Sequence, residues 1–290
     1  MGRFSRVEVV ANIASGSVGK DAPQVIEKIF ADSGVRANVR APAPGDLMKS
    51  LRAAVDAAPD LLVILAGDGT ARAAAELCGP TGPLIAPLPG GTMNMLPHAI
   101  YGQRTWQEAL ALALDKGEER LVGGGAVEGR MFLVAAILGS PALWAPAREA
   151  ARYGKLRLAA IRARRAGQRA FTGRLRYNLD SGPREKAEAL AFMCPLASRA
   201  LDDDEAALEA AALDVKNAPD AFRLGFHALT GDWRNDPAVE VERCQIARVW
   251  AAHGIPAILD GESVRLKSLA EVTYVPGVAR MLALPRDLLA

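Results

Sequence analysis

The six residues Leu61–Ala66, LLVILA, form an uninterrupted apolar run that ends at a glycine turn and leads into an alanine-rich helical pattern. A short apolar run without polar alternation predicts a strand buried on both faces, which is typical of a parallel sheet covered by helices. Strand and helix patterns alternate in the same way over the first 120 residues. The sequence therefore predicts an α/β N-terminal domain, residues 1–120, with a doubly wound, mainly parallel sheet.

The pattern changes after about residue 120. A β-hairpin turning at Glu128-Gly129 comes first, and a basic helical stretch follows to about residue 167. Short strand patterns separated by turn residues, among them 222–229 and 241–251, continue to the end. Several short strands with turn signals predict an antiparallel arrangement. We therefore expect a β-rich, sandwich-like C-terminal domain over residues 121–271, with a basic helical insertion.

The net charge of +2 gives no reason to expect a polyanion such as nucleic acid as a partner. The charge is uneven, however, because residues 148–176 contain ten Lys and Arg and one acid, Glu149, so that this stretch carries +9 and the rest of the chain −7. We consider two interpretations, a solvated helical surface and a surface that contacts an anionic membrane or phosphate.

The cysteines Cys78, Cys194 and Cys244 lie far apart and form no Cys-x-x-Cys pattern, which predicts neither a disulfide framework nor a zinc site. We expect a reducing, cytoplasmic location. No secretory signal or spanning segment is expected, since the longest uncharged run is short and broken by proline. Membrane contact would then be peripheral, at the inner membrane surface, and a homodimer is left open.

Two glycine turns carry the clearest chemical signal, GDGT (67–70) and PGGTMN (89–94). Each follows a predicted parallel strand, and ligands of open α/β sheets bind at the carboxyl ends of the strands. Glycines allow a phosphate chain to lie against the backbone, and Thr70 and Thr92 lie near helix N-termini, where anions are favoured. Together the two turns predict a phosphate-binding edge.

Two other motifs are ambiguous when taken alone. ASGSVGKD (14–21) is an incomplete Walker A loop with Asp21 where a hydroxyl should bind metal, so it is either a phosphate loop of another kind or an ordinary turn in which Asp21 caps a helix. In DGE (260–262), Asp260 and Glu262 would face one site if they lay on a strand, and the alternative is a solvent-facing turn.

Four motifs in order, NIASG (12–16), AGDGT (66–70), PGGTMN (89–94) and DGE (260–262), resemble those of the diacylglycerol kinase catalytic-domain family. These bacterial lipid kinases share a fold with NAD kinases and sphingosine kinases. The resemblance implies that ATP and Mg²⁺ bind in a cleft between the two domains and that the γ-phosphate is transferred to a lipid hydroxyl. It also implies that residues 272–290 return to the first domain.

The same resemblance assigns roles to individual residues. It makes Asp260 the general base and Glu262 a magnesium ligand, with Asp68 in the metal and water network or, as in sphingosine kinases, the base itself. The residues that it places around the nucleotide and its phosphates are Asn12, Ser15, Gly16, Gly67, Gly69, Thr70, Gly90, Gly91, Thr92 and Asn94.

One departure from the family pattern affects chemistry. Met95 stands where many members have an aspartate of the metal network, so either Asp68 and Glu262 suffice or metal use is altered. Three functions follow: a lipid kinase, a kinase for another small alcohol or a nucleotide such as NAD, and a non-catalytic nucleotide- or lipid-binding regulator. The chain lacks the Asn-Glu dipeptide of NAD kinases, which favours the first.

Overall fold

The computed structural model describes residues 3–15, 18–43, 45–144, 157, 161, 175–198, 200–201, 205–214 and 233–289. Two compact units are present. The N-terminal unit comprises Met1–Gly123 with Pro276–Ala290, and the C-terminal unit comprises Gly124–Val275.

Five α-helices lie in the N-terminal unit among the described residues. They are α1 (Ala22–Asp32), α2 (Leu47–Asp56), α3 (Asp68–Cys78), α4 (Met95–Tyr101) and α5 (Trp106–Lys116). The strands, in chain order, are β1 (Val7–Ala11), β2 (Ala37–Arg40), β3 (Leu61–Ala66), β4 (Leu84–Pro89), β5 (Glu118–Val127), β6 (Arg130–Phe132), β7 (Ala135–Gly139), β8 (Leu175–Leu179), β9 (Glu185–Ala187), β10 (Ala189–Met193), β11 (Leu208–Leu213), β12 (Val239–Cys244), β13 (Ile246–Trp250), β14 (Pro256–Leu259), β15 (Glu262–Arg265) and β16 (Leu269–Ala283).

The sheet of the N-terminal unit is parallel and runs in the order β2-β1-β3-β4, with the end of β16 alongside β4. All six residues of β3 are buried, as the apolar run predicts. Because β1, β3 and β4 run in one direction, the turns that follow them lie at the same edge of the sheet. This edge positions three of the four sequence motifs.

The C-terminal unit consists of antiparallel strands. One sheet has the order β12-β11-β10-β7-β14-β15. In a second arrangement the start of β16 pairs with β13, β13 pairs with β8, and β8 pairs with β9. Inward-facing residues of both sets of strands, among them Phe192, Val249 and Val272, form one apolar core. The α/β unit and the β-rich unit confirm the predicted fold class.

The structure differs from the sequence expectation at 241–251, which the pattern predicted as one strand. The chain instead forms β12 and β13, which belong to different sheets. The backbone N–H groups of Gln245 and Ile246 both donate to Oδ1 of Asp180, at 3.0 and 2.9 Å, and these bonds fix the point where the chain changes sheet. A side chain from a distant segment therefore decides this break.

Two expectations fall largely outside the described residues. They concern the basic stretch 148–176, of which residues 157, 161, 175 and 176 are described, and a strand pattern at 222–229. Across the described part of the chain, the helices are all too short or too polar to cross a bilayer.

Candidate active site

The three turns at the carboxyl edge of the parallel sheet are joined by hydrogen bonds. The backbone N–H of Asn12, directly after β1, donates to the carbonyl of Leu65 over 2.9 Å. The carbonyl of Asn12 accepts the N–H of Ser15 over 2.9 Å, and Oγ of Ser15 donates to the carbonyl of Gly90. The first turn is thereby fixed to β3 and to the turn after β4.

The second and third turns touch through their glycines. A Cβ added to Gly91 would lie 2.6 Å from Cα of Gly67, and one added to Gly90 would lie 2.7 Å from the backbone nitrogen of Ala66. Both distances are too short for any side chain, so the close packing of backbone on backbone requires these glycines. A Cβ at Gly67 would lie 3.8 Å from Cα of Gly91, an ordinary contact.

Asn94 closes the third turn. Its backbone is left-handed, with φ of 50°, and its side-chain Oδ1 accepts the N–H of Gly91 over 2.7 Å while Nδ2 donates to the carbonyl of Gly91 over 3.2 Å. Thr92, between them, is exposed. Both polar atoms of the Asn94 amide thus hold the turn, and a contact of this residue with nucleotide stays a prediction.

The second turn, GDGT, is also the start of a helix, because α3 begins at Asp68. Gly67 is the N-cap of α3, and its carbonyl accepts the N–H of Thr70 over 3.0 Å. The small residues Gly69 and Thr70 therefore lie in the first helical turn. Most N–H groups of a first turn have no partner within the helix, so this end favours an anion through groups other than the N–H of Thr70.

Asp68 links the second turn to the third. Its Oδ1 accepts the backbone N–H of Leu96 over 3.0 Å, at the start of α4, and the residue is half-buried. Its other oxygen, Oδ2, has no hydrogen-bond partner within the described ranges. One carboxylate oxygen at the glycine-rich edge is thus available to an incoming group.

The fit of this edge to Mg²⁺ can be judged from its ligands. Among the residues that the structure describes, no group of three or more His, Cys, Asp or Glu side chains could hold a metal ion, and Met95 contributes no oxygen. Mg²⁺ in phosphate-transfer sites is usually held by one or two carboxylates together with phosphate oxygens. Asp68 fits such a shared site, whereas a site made by protein alone is absent from the described part.

The first motif, NIASG at 12–16, is described in the structure only as far as Ser15. Gly16 lies outside the described residues. Asp21 lies at the N-cap of α1, as one sequence interpretation expected, but its side chain makes no capping hydrogen bond.

The DGE motif lies in the C-terminal unit and is a turn. Asp260 and Gly261, with φ of 44° and 86°, connect β14 to β15, so the expectation that Asp260 and Glu262 share one face of a strand is wrong. Two successive left-handed residues reverse the chain in a tight hairpin. Asp260 is only 5% exposed, whereas Glu262, the first residue of β15, is exposed.

Asp260 anchors a segment that sequence reasoning missed. Its Oδ2 accepts the N–H of Leu133 over 2.7 Å, and its Oδ1 accepts those of Val134 and Ala135 over 2.9 and 3.0 Å. Its own N–H donates to the carbonyl of Ala135 over 2.9 Å. The apolar residues 133–135 gave no signal, because the groups that bind the carboxylate are backbone N–H groups.

Cys194 lies beside this anchor. Its N–H donates to the carbonyl of Val134 over 2.9 Å, so the anchored segment is held from two sides. Burial raises the pKa of the Cys194 thiol well above its ordinary value, and the charge of Asp260 raises it further. The thiol therefore stays protonated and is not a nucleophile at neutral pH.

The glycine-rich turns lie at the carboxyl edge of the parallel sheet, where open α/β proteins bind their ligands. Residues 6–124 match the family model of the diacylglycerol kinase catalytic domain. The chain therefore carries a kinase-family domain, and the predicted family resemblance is confirmed. No curated protein matches the chain.

Solved structures show the same fold over almost the whole chain. A diacylglycerol kinase from Bacillus anthracis strain Sterne is 15% identical with a TM-score of 0.69, over 98% of this chain and 99% of that chain. Another protein of that strain is 17% identical with a TM-score of 0.73, over 98% and 97%. Yeast NADH kinase, solved in complex with NADH, is 11% identical with a TM-score of 0.52, over 98% and 85%.

Proposed function

We propose that the protein is an ATP-dependent lipid kinase that transfers the γ-phosphate to a lipid hydroxyl, such as that of diacylglycerol. The observation that carries this proposal is the backbone contact between Gly67 and Gly91, within the segment that matches the kinase family. At these two glycines no side chain covers the backbone beside the N-terminal end of α3. Such access to backbone suits a polyphosphate, because N–H groups can bind its charge.

The residues of the N-terminal unit position the donor in this proposal. The first turn of α3, with Gly69 and Thr70, would bind phosphate oxygens through backbone N–H groups and the Thr70 hydroxyl. Thr92, exposed on the third turn, would donate a second hydroxyl. Asn12, Ser15 and Asn94 would act through the turns that they hold together, which keeps the phosphate-binding groups preorganised.

Mg²⁺, when bound, would neutralise charge on the phosphates during transfer. Asp68 would contribute Oδ2 while Oδ1 keeps its hydrogen bond to Leu96. We assign Glu262, which is exposed on its own unit, as the second carboxylate. With Met95 in the remaining position, the phosphate oxygens would have to complete the ligand set.

The acceptor hydroxyl must lose its proton during transfer, and a carboxylate is a suitable base. We assign this role to the carboxylate of Asp260, whose Oδ2 accepts the N–H of Leu133 and whose Oδ1 accepts those of Val134 and Ala135. Oδ2 of Asp68 is the alternative base.

The decisive experiment is transfer of label from radiolabelled ATP to a lipid extract, followed by separation of the lipids. We expect one phosphorylated lipid with the wild-type protein and none with Asp68→Asn. This variant keeps an oxygen for the N–H of Leu96 and replaces the charged Oδ2 with an uncharged NH2 group. Labelled lipid at the wild-type level with Asp68→Asn would contradict the assignment of Asp68.

A second candidate is a kinase for a nucleotide or another small alcohol, and the fold shared with yeast NADH kinase favours it. ADP production measured in parallel with diacylglycerol and with NAD separates the two. Turnover of NAD alone would replace the lipid kinase with this function.

A third candidate is a nucleotide- or lipid-binding regulator, and Met95 at the metal position favours it. Stabilisation by ATP in a thermal-shift assay, without turnover on a panel of lipids, would support it. Turnover by the wild-type protein that Asp68→Asn abolishes would exclude it.

We also propose that the basic stretch 148–176 contacts anionic membrane, which would place a cytoplasmic protein at the inner membrane surface. Vesicle binding should fall with rising salt and weaken when Arg162, Arg164 and Arg165 are changed to Gln. Binding that does not depend on salt would exclude this electrostatic contact. A homodimer stays a prediction.

A further inference from the structure

The outer face of the β9-β8-β13-β16 strands in the C-terminal unit carries an unusual row of residues. The pairing places Arg176 opposite both Lys186 and Trp250, and Trp250 opposite Leu269. Residues directly opposite each other in neighbouring strands lie on the same face of the sheet. The four side chains therefore form one continuous row across four strands.

This row faces outward, because the alternate residues of the same strands are in the core. Tyr177, Val249 and Ala270 belong to the buried apolar cluster. Leu269 is 52% exposed, Trp250 is half-buried, and Arg176 and Lys186 are exposed. An exposed leucine beside a partly exposed tryptophan suits the boundary between the head groups and the acyl chains of a membrane.

The charges on this face are arranged at one end. The guanidinium of Arg184 lies 5.0 Å from the centroid of the Trp250 ring, so it adds a third cation to Arg176 and Lys186. In the next row of the sheet, Arg248 and Glu271 form an ion pair at 2.8 Å and compensate each other. Three cations thus lie on one side of the apolar pair Trp250 and Leu269.

We propose that this surface docks on an anionic membrane. We call the set Arg176, Arg184, Lys186, Trp250 and Leu269 the Trp250 face. The choice of membrane rests on the proposed lipid kinase function, since a kinase of this kind must reach a lipid. The Trp250 face is separate from the stretch 148–176 except at Arg176.

The chemistry of the face favours a membrane over two other occupants. A second copy packed on the same surface would bring three further cations against these three. Single-stranded nucleic acid could stack on Trp250, but it offers no apolar phase for Leu269. An anionic bilayer accepts both parts, with head groups for the cations and the acyl boundary for Trp250 and Leu269.

The test measures binding of the full-length protein to vesicles of phosphatidylcholine with phosphatidylglycerol, by co-sedimentation. Neutralising Arg176, Arg184 and Lys186 to Gln should weaken binding roughly 100-fold, since each cation near an anionic surface contributes about five-fold. Leu269→Ser and Trp250→Ala should each weaken it about five-fold, from lost apolar burial. Vesicles of phosphatidylcholine alone should bind weakly in every case.

Matched controls come from the N-terminal unit. The triple change of Arg36, Lys49 and Arg52 to Gln removes the same charge from exposed positions, and Leu77→Ser replaces a leucine that is 40% exposed. Both should bind vesicles as the wild type does. Thermal unfolding of each variant checks that the fold is kept.

Equal losses of vesicle binding in the triple variant of the Trp250 face and in the triple control variant would overturn the proposal. Binding would then depend on net charge alone. If vesicle binding were lost only in the variant with Arg162, Arg164 and Arg165 changed to Gln, the proposal would also be overturned. The basic stretch 148–176 would then be the membrane contact. Binding by the Trp250 face to single-stranded RNA but not to vesicles would replace the membrane by nucleic acid.

Failure of this proposal can be told apart from failure of the proposed function. Kinase activity is measured on short-chain diacylglycerol dispersed in neutral detergent micelles, where anionic docking has no role. The Trp250-face variants should keep that activity. Wild-type protein that binds vesicles without any lipid kinase activity would refute the function and leave the docking surface supported.

Discussion

The carboxylate of Asp260 accepts the backbone N–H of Leu133 over 2.7 Å, a bond that joins residues 127 positions apart in the sequence. The same carboxylate also accepts the backbone N–H groups of Val134 and Ala135, so it binds three backbone N–H groups. Buried N–H groups require an acceptor, and leaving one without a partner is costly. A catalytic assignment for Asp260 therefore cannot be tested by activity alone.

Asp260→Asn should lower the free energy of unfolding by about 1–3 kcal/mol, because the amide replaces one acceptor oxygen with an N–H donor. The backbone contributes little, since asparagine tolerates the left-handed conformation of this position. Glu262→Gln is the matched control, an exposed carboxylate changed to an amide, and it should shift stability by less than about 0.5 kcal/mol. Denaturant unfolding measures both.

The kinetics then separate anchoring from base catalysis. If Asp260 is the base, turnover of folded Asp260→Asn at low temperature should stay low at every pH, while the Kd for ATP is unchanged. Full turnover below the unfolding temperature would reduce Asp260 to an anchor of residues 133–135. The role of base would then pass to Asp68.

Gly91→Ala should destabilise the N-terminal unit by about 1–3 kcal/mol, the usual cost of forcing an extra atom into a packed site. Its Cβ would lie 2.6 Å from the backbone of Gly67, which cannot move aside as a flexible side chain would. Gly67→Ala is the matched variant, with φ of −79° and a nearest contact of 3.8 Å. It should cost less than about 1 kcal/mol.

The affinity of Gly67→Ala for ATP tests whether Gly67 also serves phosphate binding. Gly67→Ala should fold normally and yet bind ATP more weakly, because its methyl group would occupy the edge where phosphate is expected to lie. Unchanged ATP affinity in a folded Gly67→Ala protein would indicate that the two glycines serve packing only.

Met95→Asp should lower the Mg²⁺ concentration for half-maximal turnover about ten-fold, as expected from adding one carboxylate to the ligand set. Position 95 is the first residue of α4, next to Leu96, whose N–H binds Asp68. Met93→Asp adds the same charge at a side chain that is 42% exposed in the same turn, and it should change nothing. Equal effects of the two would show that general charge, not coordination, is responsible.

The sequence predicted those parts of the fold that depend on local pattern. The apolar run of β3 is fully buried, and the hairpin turn at Glu128-Gly129 has φ of 49° and 73° as such a turn requires. Both follow from residue types within a few positions. The alternating order of strands and helices likewise follows from local sequence patterns.

The parts that sequence reasoning missed depend on distant groups. Nothing in residues 133–135 indicates a carboxylate partner, and nothing at 241–251 indicates the bonds from Gln245 to Asp180 that divide the strand. Of the two interpretations of DGE, the structure shows the turn, although Asp260 itself is buried and does not face solvent. Asp-Gly is the strongest short signal for a two-residue hairpin turn, so the left-handed φ of Asp260 could have been predicted.

The hydrogen bonds of Asp60 give a prediction for acid stability. The hydroxyl of Ser5, at 2.6 Å, and the backbone N–H groups of Arg6 and Ser5, both at 2.9 Å, lower the pKa of Asp60 from 3.8 to about 2. A carboxylate whose pKa is lower in the folded state contributes stability above its unfolded pKa. That contribution is lost as the pH falls from about 4 through about 2.

Asp60→Asn should therefore lower the Tm at pH 7, because the ordered N-terminal segment before β1 loses its charged acceptor. The difference from wild type should shrink as the pH falls from 4 and disappear below about 2, where Asp60 itself becomes protonated in the folded state. Asp56→Asn, an exposed carboxylate at the end of α2, controls for the loss of one charge. A Tm difference for Asp60→Asn that persists unchanged at pH 2 would mean that the side chain acts through its shape and not through its charge.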